Sequence, residues 1–300
     1  MRRQLLAVFL AGVAGCLFPV VMIIASMAQR YPSGATVLVG AGDVAGCDSV
    51  ADSETADLLD TIDGVVFTLG DNAYPAGTAQ QFAACYDPTW GRHKARTRPV
   101  PGNHDYETPN AAGYFSYFGA AAGKPDRGYY AYDVGTWRVY ALNSNCDEIG
   151  GCGPGSRQFE WLAGDLADRP AACVLAYWHH PLFTAAPGGG VNAVQPFFEL
   201  LYEAGAEIVM SASAHSYERF APITPDGEVD QDSGIRQFVV GTGGAGLRSL
   251  GDALPASERQ SDQAHGVLRL TLMDDAYSWA FISSDAAFAD AGDGRCHPVP

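Results

Sequence analysis

An α/β fold with largely parallel strands is predicted by three observations. Short apolar runs rich in β-branched residues recur along the chain and stop at Gly, Asp, Asn or Pro, as buried strands do. Helical stretches separate several of these runs, and that alternation builds parallel sheets. Hydrophobic residues make up 47% of the 300 residues and aromatics 11%, enough to fill a large core.

The elements follow in order. Residues 35–41 (ATVLVGA) are the first apolar run and end at Gly42-Asp43. Residues 52–62 read as a helix with Asp52 or Ser53 as its cap. Residues 64–69 (GVVFTL) form a second strand, stopped by Gly70-Asp71-Asn72, and residues 97–101 lead into Gly102-Asn103-His104-Asp105. Two strand pairs, 129–134 with 137–142 and 267–273 with 277–282, read as hairpins that supply antiparallel edges. Residues 156–168 are a helix capped by Ser156, with Phe159, Leu162 and Leu166 on one face. Residues 172–178 (ACVLAYW) end at His179-His180-Pro181. A third helix covers 192–204, with Pro196 in its first turns, and residues 207–211 (EIVMS) run towards His215. A strand at 237–240 precedes a Gly-rich loop, 241–246, which lacks the Lys-Ser/Thr ending of a P-loop. No repeat or linker follows residue 35. One domain is expected over 35–290, with a C-terminal tail at 291–300.

The 34 acidic against 18 basic residues give a net charge of −16. Nucleic acid is not expected as a partner, because no basic footprint replaces counterions on phosphates. An acidic chain binds a phosphorylated molecule only with the help of a metal. Arg2 and Arg3 precede an uncharged run from residue 5 to 28, the layout of an export signal. The run is also long enough to span a bilayer. Residues 1–34 are therefore expected to be an export signal or a membrane anchor with a short linker. The protein is expected to be secreted or extracytoplasmic, with membrane contact only through this segment. Of seven cysteines, Cys16 lies in the leader. Cys47, Cys85, Cys146, Cys152, Cys173 and Cys296 form an even set suited to disulfides outside the cell. Cys146 and Cys152 bracket a short loop and make the easiest pair, while the other four allow three pairings.

The strand ends carry the functional signal. In open α/β sheets a ligand sits beyond the carboxyl ends of the strands. Five such ends deliver Asp43, Asp71, Asn103-His104, His179 and His215. Any one of them alone is an ordinary turn residue or a core histidine. Together they are the oxygen and imidazole donors that suit Zn, Fe or Mn.

The order Gly42-Asp43, Gly70-Asp71-Asn72-Ala73-Tyr74, Gly102-Asn103-His104-Asp105, His179-His180-Pro181-Leu182-Phe183 and His215-Ser216-Tyr217-Glu218-Arg219 resembles the calcineurin-like metallophosphoesterases. Tyr74 and the ending after His215 look like the purple acid phosphatase branch, and the resemblance spans residues 35–285. It implies a four-layer α/β/β/α sandwich with two central mixed sheets. It further implies hydrolysis of a phosphate-ester small molecule by a metal-activated hydroxide at a dinuclear site of two divalent or trivalent ions, Fe with Zn or Mn. On that resemblance Asp43, Tyr74 and His215 bind the first metal, Asp71 bridges both, and Asn103 and His179 bind the second. Asn103 and His104 contact the phosphate, and His104 is the catalytic acid for the leaving group. A phenolate at Tyr74 favours Fe(III).

The last motif departs from the family. Its Gly-His-x-His is Ala212-Ser213-Ala214-His215 here, so Ser213 stands where a second-metal histidine belongs. Substitute ligands on hand are Ser213 itself and His180. The loop 184–192 also lacks a histidine that the resemblance leads one to expect. Two functional readings follow: an active phosphoesterase, or a degenerate member that binds a ligand or one metal without efficient catalysis. Beside the site, Glu218 and Arg219 are expected to pair with each other. No G-x-S-x-G elbow supports a serine hydrolase.

Overall fold

The computed structural model describes residues 34–297. Within them thirteen strands follow one another: β1 (Thr36–Ala41), β2 (Val65–Leu69), β3 (Thr97–Val100), β4 (Tyr130–Val134), β5 (Trp137–Ala141), β6 (Cys173–Tyr177), β7 (Ile208–Ser211), β8 (Tyr217–Ile223), β9 (Ile235–Val240), β10 (Ser257–Ser261), β11 (Gly266–Leu272), β12 (Ala276–Ser283) and β13 (Ala289–Arg295). They make two sheets, ordered β13-β12-β11-β1-β2-β3 and β10-β8-β9-β7-β6-β5-β4. The run β1-β2-β3 is parallel, as is β9-β7-β6-β5. The remaining pairings are antiparallel, including the hairpins β4-β5 and β11-β12. Both sheets are therefore mixed.

Parallel neighbours need long crossovers, and helices supply them. Helix Ala51–Asp60 joins β1 to β2, Arg157–Asp168 joins β5 to β6, and Gln195–Glu203 lies between β6 and β7. Leu162, Phe197, Phe198 and Leu201 of the latter two helices cluster with Val174, Ala176, Trp178 and Val209 of the second sheet. Helix Ala51–Asp60 lies against β11 and buries Ala56 and Leu59. The inner faces of the sheets meet through aromatic pairs, Phe67 with Tyr177, Phe238 with Trp279 and Tyr217 with Phe281. Burial of such rings is the largest apolar contribution per residue. The chain thus adopts the two-sheet α/β sandwich that the resemblance implies.

Some boundaries differ from expectation. The first helix begins at Ala51, and neither Asp52 nor Ser53 caps it. The Ser49 hydroxyl accepts the Ala51 N–H at 3.1 Å instead, and Asp52 falls in the first turn, where the helix dipole favours an acid. Ser156 does cap its helix, accepting from the Phe159 N–H. Strand β13 crosses the expected boundary at 290, so half of the expected tail, residues 291–295, is sheet. Its Gly292 and Gly294 lie beneath the rings of Trp279 and Tyr277, where a Cβ would collide. Adjacent residues of a strand face opposite ways. Glu218 and Arg219 therefore do not pair: Glu218 accepts from Thr184 and the Ala185 N–H, while Arg219 binds Asp290 and Glu258.

Three disulfides are present, Cys146–Cys152 as expected, with Cys47–Cys85 and Cys173–Cys296 resolving the open pairings. Cys16 and the leader through residue 33 lie outside the described residues. Among the described residues no helix is long and apolar enough to cross a membrane.

Candidate metal centre

The site forms where the carboxyl ends of both sheets meet. Asp43, Asp71 and Asn103 follow β1, β2 and β3, while His179 and His215 follow β6 and β7. The loops are knitted across the sheets: the Asp43 N–H donates to Gly70 O at 3.1 Å, Gly42 N–H to Val240 O at 2.8 Å, and Ala212 N–H to His179 O at 2.8 Å. Asp43, Asp71, Ser213 and His215 adopt left-handed backbone, with φ of 55°, 51°, 63° and 53°. Such strain in non-glycine residues gathers at functional sites.

The donor atoms converge. Asp43, Asp71 and His179 each place a ligand atom within 4.8 Å of the others. His179 Nε2 lies 3.3 Å from Asp71 Oδ2 and 3.2 Å from Asn103 Oδ1. Tyr74 Oη lies 2.9 Å from Asp43 Oδ1, 3.1 Å from Asp71 Oδ2 and 3.2 Å from His215 Nε2. His215 Nδ1 faces Gly246 O at 2.7 Å, and His179 Nδ1 faces Leu69 O at 2.7 Å. A carbonyl only accepts, so each Nδ1 carries a proton, and in the neutral ring that a metal binds each Nε2 turns a lone pair to the centre. That outer hydrogen bond is how proteins fix metal-binding histidines.

Around Tyr74, with His215 neutral, the lone pairs of Asp43, Asp71 and His215 therefore crowd together with one phenolic proton among them. The Tyr74 O–H serves a single acceptor, and Asp43 Oδ2 is buried with no hydrogen-bond partner among the described residues. An orphaned buried carboxylate oxygen costs several kcal/mol unless a cation satisfies it, roughly 1–3 or more. Two glycines make room for this arrangement: a Cβ at Gly102 would overlap Asp71 Oδ1, and one at Gly241 would overlap Asp43 Oδ2. The residues present fit metal cations. Asp43, Tyr74, Asp71 and His215 offer a full donor set on one side. Asp71, Asn103 and His179 offer three on the other.

The charges respond accordingly. Burial raises the Asp71 carboxyl, but the adjacent His179 outweighs it and holds Asp71 below the usual range. Burial lowers His179, and Asp71 more than offsets this, so the imidazole rises. Burial followed by the carboxylates of Asp43 and Asp71 pushes the Tyr74 phenol far up. Without cations Tyr74 is thus a neutral phenol.

His104 stands at the rim. Its backbone N–H donates to Asp71 Oδ1 at 2.8 Å, its Nδ1 faces Pro75 O at 2.6 Å, and its Nε2 lies 4.0 Å from Asp71 Oδ2. The Ser213 side chain makes no hydrogen bond among the described residues and is half-buried. His180 is not in the ligand cluster. Its Nδ1 meets Ser144 Oγ at 2.8 Å, and burial, then the charge of His179, pushes its pKa down to about 3. A second acidic and cysteine cluster, Cys173, Glu207 and Cys296, is closed to metal by the disulfide.

Three contributors lie outside the expected ligand set. Asp105 is fully buried and its Oδ2 accepts from Gly102 N, Asn72 N and Asn72 Nδ2, tying the second and third loops together. Burial, then the Asp71 charge, raises it to about 7. Gly246 supplies the carbonyl that orients His215, so the Gly-rich loop does reach the site. Asn143-Ser144-Asn145 is a further polar strand end, after β5. Its signal was the same as for the others, an apolar run stopped by polar residues.

Two mixed sheets with strand-end acids and histidines between them make the metallophosphoesterase fold. A family model of calcineurin-like phosphoesterases matches residues 38–217, and the chain belongs to that family. Its relatives put it on the purple acid phosphatase-like branch. It is 29% identical over 193 residues to purple acid phosphatase 21 of Arabidopsis thaliana, covering 61% of this chain and 42% of that protein. It is 32% identical over 157 residues to purple acid phosphatase 22 of the same plant, covering 49% and 34%. The chain thus spans less than half the length of these relatives. Among solved structures, purple acid phosphatase PPD1 of yellow lupin (Lupinus luteus) superposes with TM-score 0.68 at 19% identity, over 88% of this chain and 55% of that one. GAP50, the anchor in the inner membrane complex of Plasmodium, gives 0.64 at 12% identity, over 88% and 89%. Likeness at such identity shows the shared fold.

Proposed function

We propose that this chain is an exported phosphoesterase that hydrolyses phosphate esters at a dinuclear metal centre. The observation that carries the reading is the convergence of the Tyr74, Asp43, Asp71 and His215 donor atoms with one proton among them, beside the unpartnered Asp43 Oδ2. The first metal is assigned to Asp43, Tyr74 and His215, the second to Asn103 and His179, with Asp71 between them; Fe with Zn or Mn suits these donors. Bound metals would supply Lewis-acid polarisation of the phosphoryl oxygens and acidify a water. The three disulfides agree with an oxidising compartment and hence with export.

The chain's own residues do the rest. Asn103 Oδ1 faces His179, leaving its amide Nδ2 to donate to a phosphoryl oxygen. With Nδ1 committed to Pro75 O, the imidazolium form of His104 is the one that carries a proton on Nε2. That proton goes to the departing alkoxide oxygen as the P–O bond breaks. Preorganised groups of this kind lower the barrier because they need no reorganisation during reaction.

A second reading rests on Ser213. With a hydroxyl where the family motif has imidazole, the second metal keeps three protein donors, and a degenerate protein holding one metal is the alternative. Metal content and turnover of p-nitrophenyl phosphate by purified protein decide between them. Two equivalents and a rate abolished by Asp71→Ala, by at least about 10²-fold, support the enzyme. One equivalent and a rate equal to that of Asp71→Ala across metals and pH support the alternative.

A further inference from the structure

Beside the metal centre opens a cavity of about 530 Å³ that shares Asn103 with it. His180, next to the ligand His179, also lines this cavity. Ser144 Oγ accepts the His180 backbone N–H at 3.0 Å and meets the ring Nδ1 at 2.8 Å, which holds the imidazole against the cavity wall. The Asn103 amide gives the cavity a donor where it adjoins the centre. Its fully charged lining residues are all carboxylates, Glu107, Asp147 and Glu148, and no lysine or arginine lines it.

Asn145 adds an independent sign. It lines the same cavity with only 7% of its surface exposed. Its Nδ2 donates to Pro101 O at 3.1 Å and to Asn143 Oδ1 at 2.9 Å. A carbonyl cannot donate, so the amide orientation is fixed. Its Oδ1 has no partner within the described protein and is left as an acceptor. An unpaired, still accessible acceptor oxygen on a largely buried residue, together with three carboxylates, asks for a ligand that donates and is positive. Asp147 and Glu148 sit on a short helix, Cys146–Ile149, whose first residue is held by the Cys146–Cys152 disulfide.

Granting the phosphoesterase reading above, we propose that this cavity receives the alcohol portion of the ester, and that the preferred substrates are phosphate esters whose alcohol bears an ammonium group. A carboxylate or second phosphate there would meet three like charges, and a neutral alkyl group would leave the Asn145 oxygen unpaired. Selection by a site's buried polar group against ligands lacking the matching donor is a strong discriminator.

The test uses the full chain, loaded with metal, and kcat/KM for 2-aminoethyl phosphate, propyl phosphate, 3-phosphoglycerate and p-nitrophenyl phosphate. The aminoethyl ester is expected to exceed the propyl ester about fivefold or more, and 3-phosphoglycerate to be the poorest. Each exposed carboxylate contributes about two- to fivefold. Asp147→Asn and Glu148→Gln, tested singly and together, should lower the aminoethyl-to-propyl ratio stepwise. In the unaltered protein, raising salt from 0.05 to 0.5 M, concentrations chosen to shorten the screening length, should lower the same ratio. Turnover of p-nitrophenyl phosphate with equal aminoethyl and propyl rates, or a ratio indifferent to both salt and substitution, overturns this inference alone. No turnover of any ester overturns the phosphoesterase reading and this inference with it.

Discussion

Tyr74 Oη lies 2.9 Å from Asp43 Oδ1, and this phenol holds the one proton available to a cluster of lone pairs. Burial and two carboxylates keep that proton on, so only a cation of high charge releases it. Tyr74→Phe removes the phenol and keeps the ring. It should weaken the first metal about tenfold to a hundredfold, read as metal retained after dialysis against a graded chelator. Unchanged retention would remove Tyr74 from the ligand set.

Ser213 has the left-handed backbone of a tight loop and a hydroxyl with no partner. An unbranched side chain fits that backbone more readily than a β-branched one. Ser213→His should bring the second site from three donors to four and raise its metal affinity at least about tenfold. Titration calorimetry with Zn or Mn would reveal it, and the turnover of p-nitrophenyl phosphate should rise in parallel. Unaltered affinity would mean that an imidazole at 213 does not reach the centre.

His104 is assigned to the leaving group, which makes its importance depend on that group. Nitrophenolate departs without a proton, whereas an alkoxide does not. His104→Gln should therefore slow alkyl phosphates by about 10²-fold or more and p-nitrophenyl phosphate far less. Equal losses on both would assign His104 to phosphate binding instead.

Glu207 accepts from Val174 N–H at 2.6 Å and from His297 N–H at 3.1 Å, and its burial raises its pKa to about 7. The folded state therefore binds a proton that the unfolded chain releases between about pH 4.5 and 7. This stabilising contribution is complete below pH 4.5 and lost as pH rises to 7, by roughly 3 kcal/mol. Glu207→Gln cannot titrate. Melting temperatures of the two proteins from pH 4 to 8 should show the native protein losing ground to the variant across that window. Parallel curves would mean that Glu207 ionises normally in the fold.

The proposed ligands were legible as a cluster because each sits at the end of an apolar strand, where sequence reasoning expects function. The edges were not. Strand β10 (SERQS) is polar and only partly buried, and β13 (ADAGDGR) carries glycines because Trp279 and Tyr277 cover it. Neither has the alternation that marks a strand. Asp105 read as a turn residue because its partners, Asn72 and the Gly102 amide, come from separate loops. Glu218 and Arg219 looked like a pair only because neighbours in sequence are easily mistaken for neighbours in space. The disulfide pairing needed the fold itself: Cys173 opens β6 while Cys296 immediately follows β13.

The order β11-β1-β2-β3 in the first sheet places the chain's late strand beside its earliest one, with Leu38 opposite Leu270. Every proposed ligand has left the ribosome by His215, yet β1 still lacks one flank at that moment. The Asp43 loop gains its full support only when residues some 230 positions later arrive. Non-local pairing of this sort delays folding. A nascent chain of this protein therefore carries its whole set of proposed donors before it has a rigid cradle for them, and metal capture should coincide with the docking of β11 beside β1.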